Sequence, residues 1–407
     1  MYLLYLIYII MESSKSQSVK TEKEPQEYLS SIPLPKIDSI LEEHDMLKFN
    51  ISNTNVSIAN GLRRTIMADI DIAVLDTSDE SIVIEHNTTM FNNEILKQRL
   101  GCIPIIMNEL NDSVKDLQLV LDRENNSNSL EYVTTKDFKL VDKKTNKELP
   151  EKQVRVLFPP NPQTKSYILF SRLKPQISKE IKGERLKLTC DLNIKKGKDS
   201  GMYNVVSSCA YKYAIDKVKQ ASEWEKVEKK LMDNIEEVDA GKLQQKLDYE
   251  KENWFNHDGL RYTKDGSYDF CIETLGIYKN KQIIRKACNV LILKLNEIKN
   301  SSENSKLFSI KEMPVALKNS FDIVLYKEDY TIGKILEYVM HYSYYRKKLL
   351  SYVGFSKPHP HDENSIIRLA FTDDNEDVAN VSNVVEILHN SCIIAVNVFK
   401  EIKSNFQ

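Results

Sequence analysis

Closely spaced cysteine pairs are missing from this chain. Its six cysteines, Cys102, Cys190, Cys209, Cys271, Cys288 and Cys392, are scattered with no C-x-x-C spacing. That excludes a zinc site built on paired thiolates and a dense disulfide framework, so no metal is expected. Several of them sit in apolar runs, where a reduced thiol behaves as a small hydrophobe; a reducing compartment fits. A long hydrophobic run is missing too. The apolar segment Met1 to Ile10 is half the ~20 residues a membrane span needs, and it has neither a basic n-region nor a small-residue cleavage site. Met11, followed by Glu-Ser-Ser-Lys, is an alternative start; otherwise the segment is a tail outside the fold. Charge of one sign is also lacking. With 57 basic against 59 acidic residues the net charge is −2, without the basic footprint of a stand-alone nucleic-acid binder. Finally, no nucleophile–base set, glycine-rich phosphate loop or repeated aspartate motif for catalytic magnesium occurs, so catalysis by this chain alone is not expected.

What is present is a change of period. Leu47, Phe49 and Ile51 alternate with polar residues as in a half-buried strand. Ser52 to Asn55 make a turn, and then Ile58, Leu62 and Ile66 recur at helical spacing, with Ser57 read as the N-cap. Asn60, Arg63, Arg64 and Met67 fall on a neighbouring face. The layout recurs downstream. Phe321, Ile323 and Leu325 alternate, Lys327 to Asp329 make the turn, Thr331 is read as the cap, and Ile332 and Leu336 match Ile58 and Leu62. The offset is constant, since 321 − 47, 325 − 51, 331 − 57 and 336 − 62 all equal 274. Ungapped agreement of this kind points to two related modules. The arginines are not repeated, because Glu337 and Tyr338 stand where Arg63 and Arg64 do.

Along the rest of the chain, Val154–Phe158, Ser166–Phe170 and Arg185–Ile194 read as strands, and Tyr213 to Glu252 as a Lys/Glu-rich helical excursion. A helix over 281–298 carries Ile284, Ala287, Leu291 and Leu295, and a final long helix carries Val385, Leu388, Cys392 and Phe399. Such seams bury little alone and are expected to pack on one another as an intramolecular dimerisation surface. The expected division is a non-native or disordered segment over 1–36, a larger module over 37–106 and 253–298, and a mostly β insertion with the charged excursion over 107–252. A linker over 299–306 and a smaller module over 307–407 complete it.

Three motifs then carry a resemblance. Asn60-Gly-Leu-Arg-Arg64, Glu85-His-Asn-Thr-Thr89 and Glu94-Ile-Leu-Lys-Gln-Arg-Leu-Gly-Cys-Ile-Pro-Ile105 resemble the signature of the alpha-like subunits of multisubunit DNA-directed RNA polymerases. These are the bacterial alpha N-terminal domain, the archaeal D subunit and the third-largest subunit of RNA polymerase II. Arg172-Leu-Lys-Pro175, Ile194–Lys198 with Tyr203–Val206, and Phe270–Gly276 follow in the same order. Asp329-Tyr-Thr-Ile-Gly333, Val353–Pro360 and Ile366–Leu369 resemble the smaller partner, the archaeal L subunit or the eleventh subunit of RNA polymerase II. The resemblance implies an α+β fold of two alpha-subunit-type dimerisation modules, each an antiparallel sheet plus helices, paired within one chain. A fusion of the two is similar to what large cytoplasmic DNA viruses encode, which implies a viral protein of the host cytoplasm and the virion.

The implied function is that of a non-catalytic assembly subunit, a platform on which the largest and second-largest polymerase subunits and smaller subunits join. No direct sequence-specific DNA contact and no membrane are implied. Asn60, Arg63, Arg64 and Met67 are expected to bind the second-largest subunit, guanidinium forks holding carboxylates or carbonyls; the plainer alternative is a solvated helix face. Glu94 and Arg99 either support that surface or make local pairs. Some relatives carry a cysteine-bound metal or iron–sulfur site in the insertion, but Cys190 and Cys209 have no paired neighbours, so no cofactor is expected. Gly61 departs from the small helix former usual in the family, at ~1 kcal/mol of helix propensity against alanine. His359 and His361, flanked by Pro358 and Pro360, read as a rigid loop. The competing functions are a free-standing regulatory scaffold and a nucleic-acid-processing enzyme using the charged insertion.

Overall fold

The computed structural model describes residues 32–178, 182–233, 240–313 and 317–406. Of the segment expected to be disordered or non-native over 1–36, residues 1–31 lie outside them, whereas Ile32 is buried in the core and Lys36 opens the first strand, so the fold begins earlier than expected. The chain is a mixture of helices and antiparallel sheets. Strand β1 (Lys36–Glu43) pairs with β2 (Met46–Ser52), and β2 runs into helix α1 (Val56–Ala68). The alternation read in the sequence sets the inward face of β2, where Leu47, Phe49 and Ile51 are at most 2% exposed. Much later in the chain, β11 (Val206–Ile215) and β12 (Thr263–Thr274) complete a four-stranded sheet in the order β1-β2-β12-β11. Helix α6 (Asn280–Asn300) follows β12.

The C-terminal part repeats this order of elements. A second four-stranded sheet runs β13 (Phe308–Glu312), β14 (Ser320–Leu325), β16 (Ser365–Phe371), β15 (Leu350–Ser356). Helix α7 (Tyr330–Met340) follows β14 as α1 follows β2, and α8 (Val381–Ser404) follows β16 as α6 follows β12. The matching turns share a detail of backbone. Asn53 and Lys327, 274 apart, are both left-handed, with φ of 62° and 59°. One core spans both sheets: α1 packs on α7, α6 packs on α8, and Phe49, Leu62, Leu291, Ile335, Leu388 and Phe399 belong to the same buried cluster.

Between β3 (Asp71–Leu75) and β10 (Arg185–Lys196) lies a body with its own core. A six-stranded sheet contains β3, β4 (Ile82–Asn87), β5 (Leu117–Glu124), β7 (Lys139–Asp142), β8 (Lys147–Glu148) and β10. The short strands β6 (Glu131–Thr134) and β9 (Leu169–Leu173) pair beside it. Two helices, α2 (Asn93–Gly101) and α3 (Glu151–Leu157), accompany these strands. The expected boundary at residue 107 falls inside this core, because β10 pairs with β3, β4 and β5 and gathers Leu75, Ile82 and Leu100 with Leu119 and Leu188. The other boundary moves as well. Strand β11 belongs to the first sheet, held by its ladder to β12. Helices α4 (Lys217–Asp233) and α5 (Ala240–Asn256) stand between β11 and β12, where Trp224 and Trp254 pack at 5.6 Å and Trp254 stacks on Tyr262 at 5.9 Å.

Three local expectations are corrected. Residues 154–157, read as strand, are the last turn of α3, whose Glu151–Arg155 ion pair at 2.7 Å has the four-residue spacing of a helix. Asn55 rather than Ser57 caps α1, accepting the Ser57 N–H at 2.9 Å, and Asp329 rather than Thr331 caps α7, accepting the Thr331 N–H at 2.9 Å. Asn and Asp reach the N–H two residues on and so cap from before the first turn. Asn55→Ala should therefore lower the free energy of unfolding in urea by about 1 kcal/mol, and Ser57→Ala by much less. The opposite order of the two losses would contradict this assignment.

A candidate interaction site where the two sheet-and-helix units meet

Helix α1 is amphipathic in the way its spacing requires. Ile58, Leu62 and Ile66 are at most 1% exposed and hold it in the core, whereas Asn60, Arg63 and Arg64 are half-buried and Met67 is exposed. Along the outer face, Arg63 Nε donates to Asn60 Oδ1 at 3.1 Å and its Nη1 meets Met67 Sδ at 3.2 Å. These three side chains form a continuous strip, and among the described residues no carboxylate forms an ion pair with the Arg63 guanidinium.

Arg64 does something else. Its Nε donates to Thr331 Oγ1 at 2.9 Å and its Nη2 to Asp329 Oδ2 at 2.6 Å, so it reaches from the first unit to the cap of α7 in the second. The sequence reading grouped Arg63 with Arg64; the structure separates them, because α1 faces the α7 N-terminus on the side where Arg64 lies. Beside this contact, Lys294 of α6 lies 3.8 Å from Asp69 and 3.5 Å from Glu328. Lys198 and Lys327 join these groups around a cleft of about 260 Å³. Lys198 is placed by the return of the insertion onto α1, its N–H donating to Ala68 O at 2.8 Å. A side chain at Gly197 would meet Met67 O at 2.5 Å, so only glycine lets the two backbones come this close.

The two neighbouring carboxylates respond differently. Burial pushes Asp329 up, but the Thr331 N–H and the Arg64 guanidinium outweigh it and hold the group below its ordinary 3.8. Burial pushes Glu328 above its ordinary 4.5, with Lys294 offsetting only part of the penalty and Asp329 and Asp69 adding to it. The cleft thus offers cations to an incoming carboxylate while two of its own acids are held on the second unit's turn.

The remaining candidates fall as follows. Ile284, Ala287, Leu291 and Leu295 on α6 and Leu388, Cys392 and Phe399 on α8 are fully buried, and Val385 is half-buried at the margin of the same core. Burial raises the thiols of Cys288, to about 12, and of Cys392, which makes both poor nucleophiles. Arg99 lies away from the α1 strip: it donates to Leu169 O and Phe170 O at 2.8 Å and covers the Phe91 ring, tying α2 to β9. His359 and His361 sit on an exposed loop, the His361 N–H donating to His359 Nδ1 at 3.1 Å. Among the described residues no group of three or more His, Cys, Asp or Glu side chains is placed to hold a metal ion. Sequence reading missed Lys198, Lys294, Glu328 and Asp329 as site residues. Glu328 and Asp329 carried a signal as the counterparts of Thr54 and Asn55, and Lys198 as the end of the Ile194–Lys198 motif; Lys294 carried none.

Comparison with known proteins agrees with this architecture. Residues 48–295, from β2 to α6, match the family model of the RNA polymerase Rpb3/Rpb11 dimerisation domain. The chain is 35% identical over 71 residues to DNA-directed RNA polymerases II, IV and V subunit 3 of Arabidopsis thaliana, covering 17% of this chain and 21% of that protein. It is 29% identical over 76 residues to DNA-directed RNA polymerase II subunit rpb3 of Dictyostelium discoideum, covering 19% and 24%. It is 30% identical over 91 residues to DNA-directed RNA polymerase subunit Rpo3 of Pyrobaculum calidifontis, covering 22% and 32%. The matched stretches thus span between a fifth and a third of these relatives.

The Arg64–Asp329 contact has a pH signature. A carboxylate held below its ordinary value stabilises the fold above pH 3.8, and the increment disappears as pH falls through its lowered value. Asp329→Asn keeps the cap and removes the charge. At pH 7 it should cost roughly 0.5–1 kcal/mol, the range for a part-exposed pair, and match the parent at acidic pH. Urea titrations at several pH values measure this; a deficit constant across pH would refute the ion-pair origin.

Proposed function

The chain belongs to the family of the RNA polymerase Rpb3/Rpb11 dimerisation domain, and on that premise we propose that it is a non-catalytic assembly subunit of a DNA-directed RNA polymerase. In this reading it folds as both halves of an alpha-like heterodimer joined in one chain, the first unit corresponding to the third-largest subunit and the second to the eleventh. The observation that carries it is the repeat of sheet, turn, cap and helix at a constant offset, with the two copies sharing one core. The family match ends in α6, so the assignment of the second unit rests on that repeat.

The platform's partners would be the largest and second-largest polymerase subunits, which would hold the active site, and smaller subunits. The second-largest would dock on the strip of Asn60, Arg63 and Met67. A guanidinium held between an amide and a thioether suits a partner that presents a carboxylate beside an apolar side chain. Arg64 serves this docking indirectly, by fixing α1 against α7. The proposal includes no cofactor in this chain, and a viral origin with activity in the host cytoplasm and packaging in the virion.

Arg63→Glu should leave the isolated protein folded, because its contacts are local to the α1 surface, and should abolish co-purification with the second-largest subunit. Tagged parent and variant expressed with that subunit would be compared by pull-down and mass spectrometry. Normal recovery of the partner with the variant would remove this surface from the proposal.

A further inference from the structure

The correspondence between the units allows a test that neither unit allows alone. If the halves are related by a near-twofold axis, residues 274 apart should meet each other at that axis. Gly61 and Ile335 do so: 335 − 61 = 274, and a Cβ on Gly61 would lie 2.7 Å from Ile335 Cδ1. The second helices correspond as well. Ile284, Cys288, Leu291, Leu295 and Ile298 on α6 lie 104 positions before Leu388, Cys392, Ala395, Phe399 and Ile402 on α8, and all ten are at most 3% exposed. By the same two offsets, Asp329 corresponds to Asn55, Arg64 to Tyr338, Glu328 to Thr54 and Lys294 to Val398.

Three of these cross-unit contacts therefore join partners that a like pair would not reproduce, whereas the hydroxyl that Arg64 meets at Thr331 has a counterpart in Ser57. Glycine faces isoleucine on the axis, Arg64 reaches Asp329, and Lys294 reaches Glu328. Two copies of the first unit, paired the same way, would set Gly61 against Gly61, Arg64 against Asn55 and Lys294 against Thr54. That arrangement has a gap at the axis, leaves Arg64 without its carboxylate, and leaves Lys294 with Asp69 of its own unit but without Glu328. Two copies of the second unit would set Ile335 against Ile335, where even a methyl group already crowds, Tyr338 against Asp329, and Val398 against Glu328. The last would leave a carboxylate that burial already penalises without its lysine.

We propose that the α1–α6 face is coded, by volume at Gly61 and by charge at Arg64 and Lys294, to accept a unit with a bulky axial residue and a Glu-Asp turn and to refuse a second copy of its own kind. This is specificity by mismatch of the wrong pair as much as by match of the right one. It rests on the two-unit reading above but not on the polymerase assignment. The partner it fits is the second unit type, from the same chain or another.

The test uses the full chain with a protease site placed in the 301–306 segment, folded first and then cleaved, and follows separation of the halves by size exclusion after dilution. Arg64→Gln and Asp329→Asn should each speed separation by about fivefold, the upper range for a part-exposed pair. The double variant should separate no faster than the faster of the two singles, because Asp329→Asn leaves the cap of α7 in place and the ion pair can be lost only once. Gly61→Ile should speed separation by roughly tenfold or more, as should Ile335→Gly, and the exchange Gly61→Ile with Ile335→Gly should return toward the parent rate. Additive effects of the charge variants together with no recovery in the volume exchange would overturn the code. Leu291→Ala and Leu388→Ala keep these two outcomes apart from the larger premise. If they too leave separation unchanged, the two-unit pairing itself is wrong; if they speed it while the coded variants fail, only the code is wrong.

Discussion

Neither sheet-and-helix unit can bury its own helices, and the rest of the structure depends on that constraint. A four-stranded sheet covers one side of the two helices laid on it. Helices α6 and α8 pack on one another, with Leu291, Leu295, Leu388 and Phe399 fully inside a core that both units supply. An apolar helix face must be covered, and here part of the buried face of each unit's second helix is covered by the second helix of the other unit. Burial at ~25 cal/mol per Å² of apolar surface makes that shared core the largest favourable term in the pairing. Apolar burial is non-directional, so the core mainly gives affinity, and the polar and steric details around it add identity.

The insertion and the charged hairpin follow from this arrangement. Because α1 and α6 are committed to the pairing, extra chain can leave the first unit only at strand ends away from it. The insertion leaves after α1 through β3 and returns through β10 to the first sheet, closing its own core on the way. Helices α4 and α5 leave between β11 and β12 and carry their own aromatic seam of Trp224, Trp254 and Phe255. The return at Gly197 and Lys198 puts a lysine at the mouth of the junction cleft, so the insertion shapes the candidate site without entering the pairing.

What could be read from the sequence was what repeats locally. The shift from period two to helical spacing between Leu47 and Ile66 was legible because strand and helix each bury one face, and the constant offset made the second copy legible from the first. The seams of α6 and α8 were legible for the same reason. The strand expected at Val154–Phe158 failed because Val-Arg-Val alternates over too few residues to exclude a single helical turn, and the Glu151–Arg155 pair fits that turn. The caps were misplaced by two residues because a serine or threonine and an Asx side chain stood at neighbouring positions and only the backbone chooses between them. The insertion's edge was illegible since Leu75 and Leu100 are as apolar as Leu62, and only the pairing of β10 says which core they enter. The contact of Arg64 across the junction was illegible for a related reason. Its partner Asp329 is 265 residues away, and adjacent arginines on a helix point about 100° apart, enough to send one outward and the other across the junction.

Two devices act on two different errors of assembly, and the structure holds both. The seven residues 301–307 between α6 and β13 keep the units of one chain together. A short flexible tether of this kind raises local concentration to about the millimolar range, which favours pairing within a chain over exchange between chains. The tether cannot object to two first units meeting from different chains, since each would still carry its own second unit. Complementary volume and charge can, because they penalise every like pair wherever it arises. They in turn say nothing against a swapped dimer, in which each first unit takes the other chain's second unit and every coded contact is satisfied. Linker length therefore controls how many chains take part, and the residues at the axis control which halves do. A chain with the tether alone would tolerate like-with-like clusters while it folds at high concentration. A pair of separate chains with the code alone would need no tether to find the right partner. The presence of the code in a chain that already has the tether means that choosing between unlike halves is a property of the interface itself, not a consequence of joining them.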